Sequence, residues 1–138
     1  MKKWLIPLLL GIYMALMIKM IFFKDPAEVK AINTQLQSNA ELMQYPYKFR
    51  VIKIDNGVAT VTSPRSAQVS VLHALKIIHP EHAYKSPDSP EIIQDQKELA
   101  TLQEIAAKII KSSPDVSRIE WQIDKAWLES NGIDMSYM

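Results

Sequence analysis

His79-Pro80-Glu81-His82 gathers more metal-ligand side chains than any other short stretch of this chain. Two imidazoles and a carboxylate are the right donors for zinc, but a site needs three or four ligands closing a tetrahedron. Pro80 breaks the helix on which the histidines begin, and His73, six residues earlier, faces another side of a regular helix. The pattern reads as surface histidines favoured by the negative pole of a helix end. The expectation is therefore no metal ligand, no cofactor and no catalytic residue. A hydrolase or metalloenzyme around His73, His79 and His82 is an alternative that requires an enclosed pocket.

Other chemistry finds less support. The chain holds no cysteine, and Gly11, Gly57 and Gly132 are its only glycines. A thiol nucleophile, a disulfide, a serine elbow and a glycine-rich phosphate loop are all excluded. Asp88 with Glu91, and Glu120 with Asp124, are acid pairs close in sequence with no sign of a cleft between them. Ser63, Arg65 and Ser66 stand where a helix is expected to begin, so free amides and the helix dipole could converge there on a carboxylate or phosphate. Ordinary capping explains the same serines. These three residues are the weak anion-binding candidates, and they carry an alternative function, capture of a small anion or cell-wall fragment.

The elements that must position these residues begin with an apolar run, Trp4 to Phe23, interrupted only by Lys19 and flanked by Lys2, Lys3 and Lys24. Twenty residues at about 1.5 Å each match the roughly 30 Å of a bilayer core. Bulky Ile21, Phe22 and Phe23 stand where a signal peptidase needs small residues, so the run reads as an uncleaved anchor. Lys19 lies near its end, where a long stem lifts the charge to the headgroups. The expectation is a single-pass membrane protein with a cytoplasmic N-terminus and an extracytoplasmic domain, periplasmic in a Gram-negative cell. Four of the sixteen basic residues precede Asp25, leaving twelve against fifteen acids. That balance argues against nucleic acid as a partner.

Asp25-Pro26-Ala27-Glu28 reads as a capped helix start. Val29, Ile32, Leu36, Asn39 and Met43 follow at three-and-four spacing, a candidate self-association seam on one helix of about 26–43, with Asn39 setting register. Tyr47 to Thr62 alternates apolar and polar residues around Asn56-Gly57, a hairpin of strands at about 47–54 and 58–62. Ser63-Pro64 reads as the start of a helix carrying Ala67, Val71, Leu72, Leu75 and Ile78 and stopped by Pro80. Ser89-Pro90-Glu91 opens a long amphipathic helix to about Lys111. Ile119, Trp121 and Ile123 mark a strand, and Asp124 caps a short helix ended by Asn131-Gly132.

This order, α-β-β-α-α-β-α after the span, predicts an α+β class: a single transmembrane helix followed by a small two-layer domain with a three-stranded sheet. The expected divisions are a signal-anchor at 1–24, a juxtamembrane helix at 25–45, the extracytoplasmic domain at 46–132 and a frayed tail at 133–138. Tyr45, Tyr47, Phe49, Tyr84, Trp121 and Trp127 are many aromatics for so few strands, and aromatics anchor interfaces. An uncovered sheet edge would suit strand addition by a partner. Together these features suggest a non-catalytic interaction or scaffold domain of a cell-envelope complex, with a homodimer or protein partner.

Overall fold

Asn56 and Gly57 turn the chain as their residue types dictate, with φ of 48° and 78°, the left-handed pair of a type I′ hairpin. The strands they join are β1 (Val51–Asp55) and β2 (Val58–Ser63), paired antiparallel. Val51 and Ile54 are both buried although three residues apart. Strict alternation would put them on opposite faces. A register shift between Val51 and Lys53 brings both inward, opposite Val61 and Ala59. The Asn33 side chain braces this irregular end, its Oδ1 accepting from Val51 N at 2.7 Å and its Nδ2 donating to Val51 O at 3.0 Å.

This computed structural model describes residues 2–22 and 26–136, with side chains given for 3–17 and 27–136. Lys2–Trp4 form a 3-10 turn leading into α1 (Leu5–Phe22). Then come α2 (Pro26–Ser38), α3 (Ala40–Gln44), the hairpin, α4 (Val71–Ile78), α5 (Pro90–Lys111), β3 (Arg118–Ile123) and α6 (Lys125–Ser130). The sheet order is β1-β2-β3, and β3 runs parallel to β2, with Ala59 opposite Ile119 and Val61 opposite Trp121. A parallel neighbour requires a long crossover; α4 and α5 provide it, so the sheet is mixed. Gly57 O ties the turn to the start of β3, accepting from Ser117 N at 2.7 Å and Arg118 N at 3.1 Å.

The principal core joins Ile32 and Leu36 of α2, Val51, Ile54, Ala59 and Val61 of the hairpin, and Leu99, Leu102, Ala106 and Ile110 of α5. A smaller cluster of Val69, Leu128 and Met135 lies beside α6. The small α+β domain and its three-stranded sheet thus agree with the sequence reading, as do α5, with Ser89 accepting from Ile92 N, and α6, with Asp124 accepting from Trp127 N.

The membrane reading does not survive. Among the described residues no helix is long and apolar enough to cross a membrane. The single-pass signal-anchor, and with it the cytoplasmic N-terminus and the extracytoplasmic or periplasmic domain, is not supported. Phe23, Lys24, the Asp25 cap and the Lys19 side chain lie outside the described residues.

Two further expectations change. Ser63 is the last residue of β2, not a helix cap; α4 begins only at Val71, where the Ser70 side chain accepts from Leu72 N. In the tail, Met135 is buried rather than frayed, because its thioether chain fills the cluster beside Leu128. Residues 137 and 138 lie outside the described set.

Candidate functional site

Two histidines meet at the end of α4 because proline interrupts the helix there. His79 closes α4, its backbone N–H donating to Leu75 O at 2.7 Å. Pro80 starts a single 3-10 turn, Pro80–His82. Three residues per turn set side chains i and i+3 over one another, and the rings of His79 and His82 stack at 5.6 Å with 23° between their planes. The facing element is α5, where Asp95 and Glu98 are three residues apart and share a face.

The contacts interlock. His82 Nδ1 lies 2.7 Å from Asp95 Oδ2, and His79 Nε2 lies 3.7 Å from Asp95 Oδ1 and 3.2 Å from Glu98 Oε1. On its other side, His79 Nδ1 is 3.0 Å from Glu81 Oε1. Asp95 is buried, only 5% exposed. Burial works against a charge on His79, but the Glu81, Asp95 and Glu98 carboxylates outweigh it and hold the imidazole above its ordinary pKa. Glu81 moves the opposite way, lowered by its own backbone amide and by His79. A cavity of about 530 Å³ opens beside the cluster, lined by His79, Glu98, Tyr45, Gln94, Lys97 and Thr101 among others. Tyr45 is buried, and its hydroxyl has no hydrogen-bond partner among the described residues. Burial, then the charges of Glu98 and Asp95, push the Tyr45 phenol above its ordinary pKa.

The sequence reading saw His79, Glu81 and His82 but not Asp95, which lies 13 residues beyond His82 on the next helix. One signal was available: Asp95 stands on the apolar face of α5, between Ile92 and Leu99, and a carboxylate there needs a partner. His73 stays on α4 and is not among the grouped ligands.

Ser63, Arg65 and Ser66 are adjacent, but no helix starts there, so the helix end on which the anion reading rested is not present at Ser63. Ser63 Oγ donates to Arg65 O at 2.9 Å, and Ser66 Oγ accepts from Gln68 N and Val69 N. The Arg65 guanidinium donates through Nε to Gln103 Oε1 at 3.0 Å. Among the acid pairs, Asp88 accepts from Ser86, Glu91 pairs with Lys85 and Glu120 with Arg118.

The 29–43 seam is divided between elements. Ile32 and Leu36 are buried in the domain's own core and Val29 packs against it. Asn39 interrupts the helix and caps α3, accepting from Leu42 N, while Met43 is exposed. Lys48 closes α3 from the other end, donating to the Met43 carbonyl and to Tyr45 O at 2.6 Å. By contrast, none of the described side chains of α1 belongs to either core cluster. From Leu5, 56% exposed, to Met17, 40% exposed, its described large apolar side chains are open on every face.

Comparison with known proteins adds no relative: no family model, no curated protein and no solved structure matches this chain.

Proposed function

We propose that this chain is a non-catalytic interaction module that associates with further copies of itself through α1. One observation carries the reading: α1 exposes leucine, isoleucine and methionine side chains around its whole circumference, while none of its described side chains joins the domain's core. Exposed apolar surface of that extent marks an interaction site. A helix of 18 residues, treated as a cylinder, presents roughly 900 Å², close to the roughly 800 Å² that each partner contributes to a standard interface. A single flat partner covers only one side of such a cylinder. Copies of the same helix packed side by side cover more of that cylinder, since each helix then meets more than one neighbour.

The test is the mass of the full chain in solution, by light scattering and crosslinking. The expected result is a defined multiple of 15.8 kDa, reduced to one chain in the triple variant Leu9→Lys, Ile12→Lys, Leu16→Lys. A monomeric wild-type chain at the same concentration overturns the proposal. The anion-binding alternative rested on a helix terminus at Ser63, where β2 ends instead.

A further inference from the structure

We propose that His79, His82, Asp95 and Glu98 form a four-ligand site for a divalent transition-metal ion of the zinc class, which staples the end of α4 to α5. The inference is independent of self-association through α1. The ligand atoms of His79, His82 and Asp95 all lie within 4.8 Å of one another. Zinc–ligand bonds of about 2.0–2.1 Å in a tetrahedron place ligand atoms roughly 3.3 Å apart. The distances of 2.7, 3.2 and 3.7 Å around His79, His82, Asp95 and Glu98 straddle that value. A cation entering between them replaces existing contacts with little movement of the backbone. Glu98 is half exposed and swings on a flexible stem to close the fourth position.

Three further features fit a metal. Glu81 accepts from His79 Nδ1, which leaves Nε2 as the free ligand atom facing Asp95 and Glu98; this carboxylate-to-histidine link orients metal-bound imidazoles. Three carboxylates surround two imidazoles, so neutral histidines leave the cluster with excess negative charge for a cation. The Tyr45 hydroxyl, buried and without a partner among the described residues, adds a polar group to the cavity that His79 and Glu98 line. Mixed imidazole and carboxylate ligands favour zinc, cobalt or nickel over magnesium and calcium, which prefer oxygen alone. Four protein ligands leave no open position, so the ion is structural. It joins the short α4 to the longest helix of the fold across the Tyr84–Asp88 loop.

Thermal unfolding of the full chain with Zn²⁺ alone tests the site. At about 100-fold excess over Kd the melting temperature should rise by about 10 °C, whereas Mg²⁺ and Ca²⁺ should leave it unchanged. Co²⁺ should give the intense visible absorption of a tetrahedral ion. His82→Gln should abolish both signals. Glu98→Gln on the open side is the second probe; it should keep the fold and weaken Zn²⁺ binding at least about tenfold. No Zn²⁺-dependent shift and no Co²⁺ spectrum in the wild-type chain, or signals that persist in His82→Gln, overturn the proposal.

Discussion

Asp95 and Asp124 are buried to nearly the same degree, yet their surroundings are built for different ends. Asp124 accepts from the Tyr47 hydroxyl at 3.0 Å and from Trp127 N at 3.2 Å, with Arg50 at 3.5 Å and its own N–H donating to Ser63 O at 2.8 Å. These partners do not change state near neutrality. Burial, the first cause, and the neighbouring Asp124 raise the Tyr47 phenol above its ordinary range, and a guanidinium keeps its proton. Asp95 instead faces two imidazoles, the side chains that do change state there. Equal burial therefore says little about role. What separates a fixed joint from a responsive one is whether the partners can gain or lose a proton or exchange it for a metal.

The sharpest way to break this comparison is to remove each carboxylate in turn. Asp124→Ala deletes the cap of α6, worth about 1 kcal/mol, and orphans the Tyr47 hydroxyl, which is 1% exposed, at about 1–3 kcal/mol. The expected loss in urea unfolding is about 3 kcal/mol. Asp95→Ala in metal-free buffer should cost roughly 1 kcal/mol, because His79 and His82 are partly exposed and turn to water. Equal losses, or the reverse order, would show that the two sites are energetically alike.

Tyr47→Phe is the finer cut on the same joint. It keeps the edge-on packing of the ring against Phe49 and Trp127, with centroids at 5.1 and 4.8 Å, and removes only the hydroxyl. The Asp124 carboxylate retains Arg50 and the Trp127 amide, so the expected loss is about 1–2 kcal/mol. His82→Gln without metal should cost less than that. A tyrosine variant as stable as wild type would mean that the Asp124 joint is held by its cap alone.

How much of this was legible in the sequence follows the same division. The Asn56-Gly57 turn, the Ser89-Pro90 start of α5 and the Asp124 cap were readable because a residue type at one position fixes local backbone geometry. Ser63-Pro64 carried the same letters as a helix start and was not one: β2 runs on through Ser63 to pair with Ile123, and sheet pairing outweighs a local cap. The long helix expected over 26–43 breaks because the Asn39 side chain captures an amide of the next turn. The anchor reading rested on counting apolar letters, and among the described residues no helix is long and apolar enough to cross a membrane. Within the candidate site, His79 and His82 were visible as neighbours in sequence. Asp95 became part of the site only when the loop between α4 and α5 folded back, a contact that no periodicity encodes.

The smallest expected effect, and the one that separates the two joints most cleanly, is the pH dependence of stability. His79 is faced by Glu81 from its own turn, by Asp95 and Glu98 from α5, and by the stacked His82. Its pKa is raised in the folded chain, so the native state binds its proton more tightly than the unfolded state. That contribution is fully present below the unfolded value near 6.5 and is lost as pH rises through the higher folded value. Metal-free wild-type protein should therefore lose a little stability as pH rises above about 6.5, an effect kept small because Glu81 and Glu98 are solvated. His79→Gln should flatten this slope, while Tyr47→Phe, at the separate Asp124 joint, should leave it intact. With Zn²⁺ bound the sign reverses, since protons compete with the ion for the same imidazole nitrogens and stability then grows with pH. A wild-type slope that survives in His79→Gln would place the titrating group elsewhere and remove the distinction between the two buried aspartates.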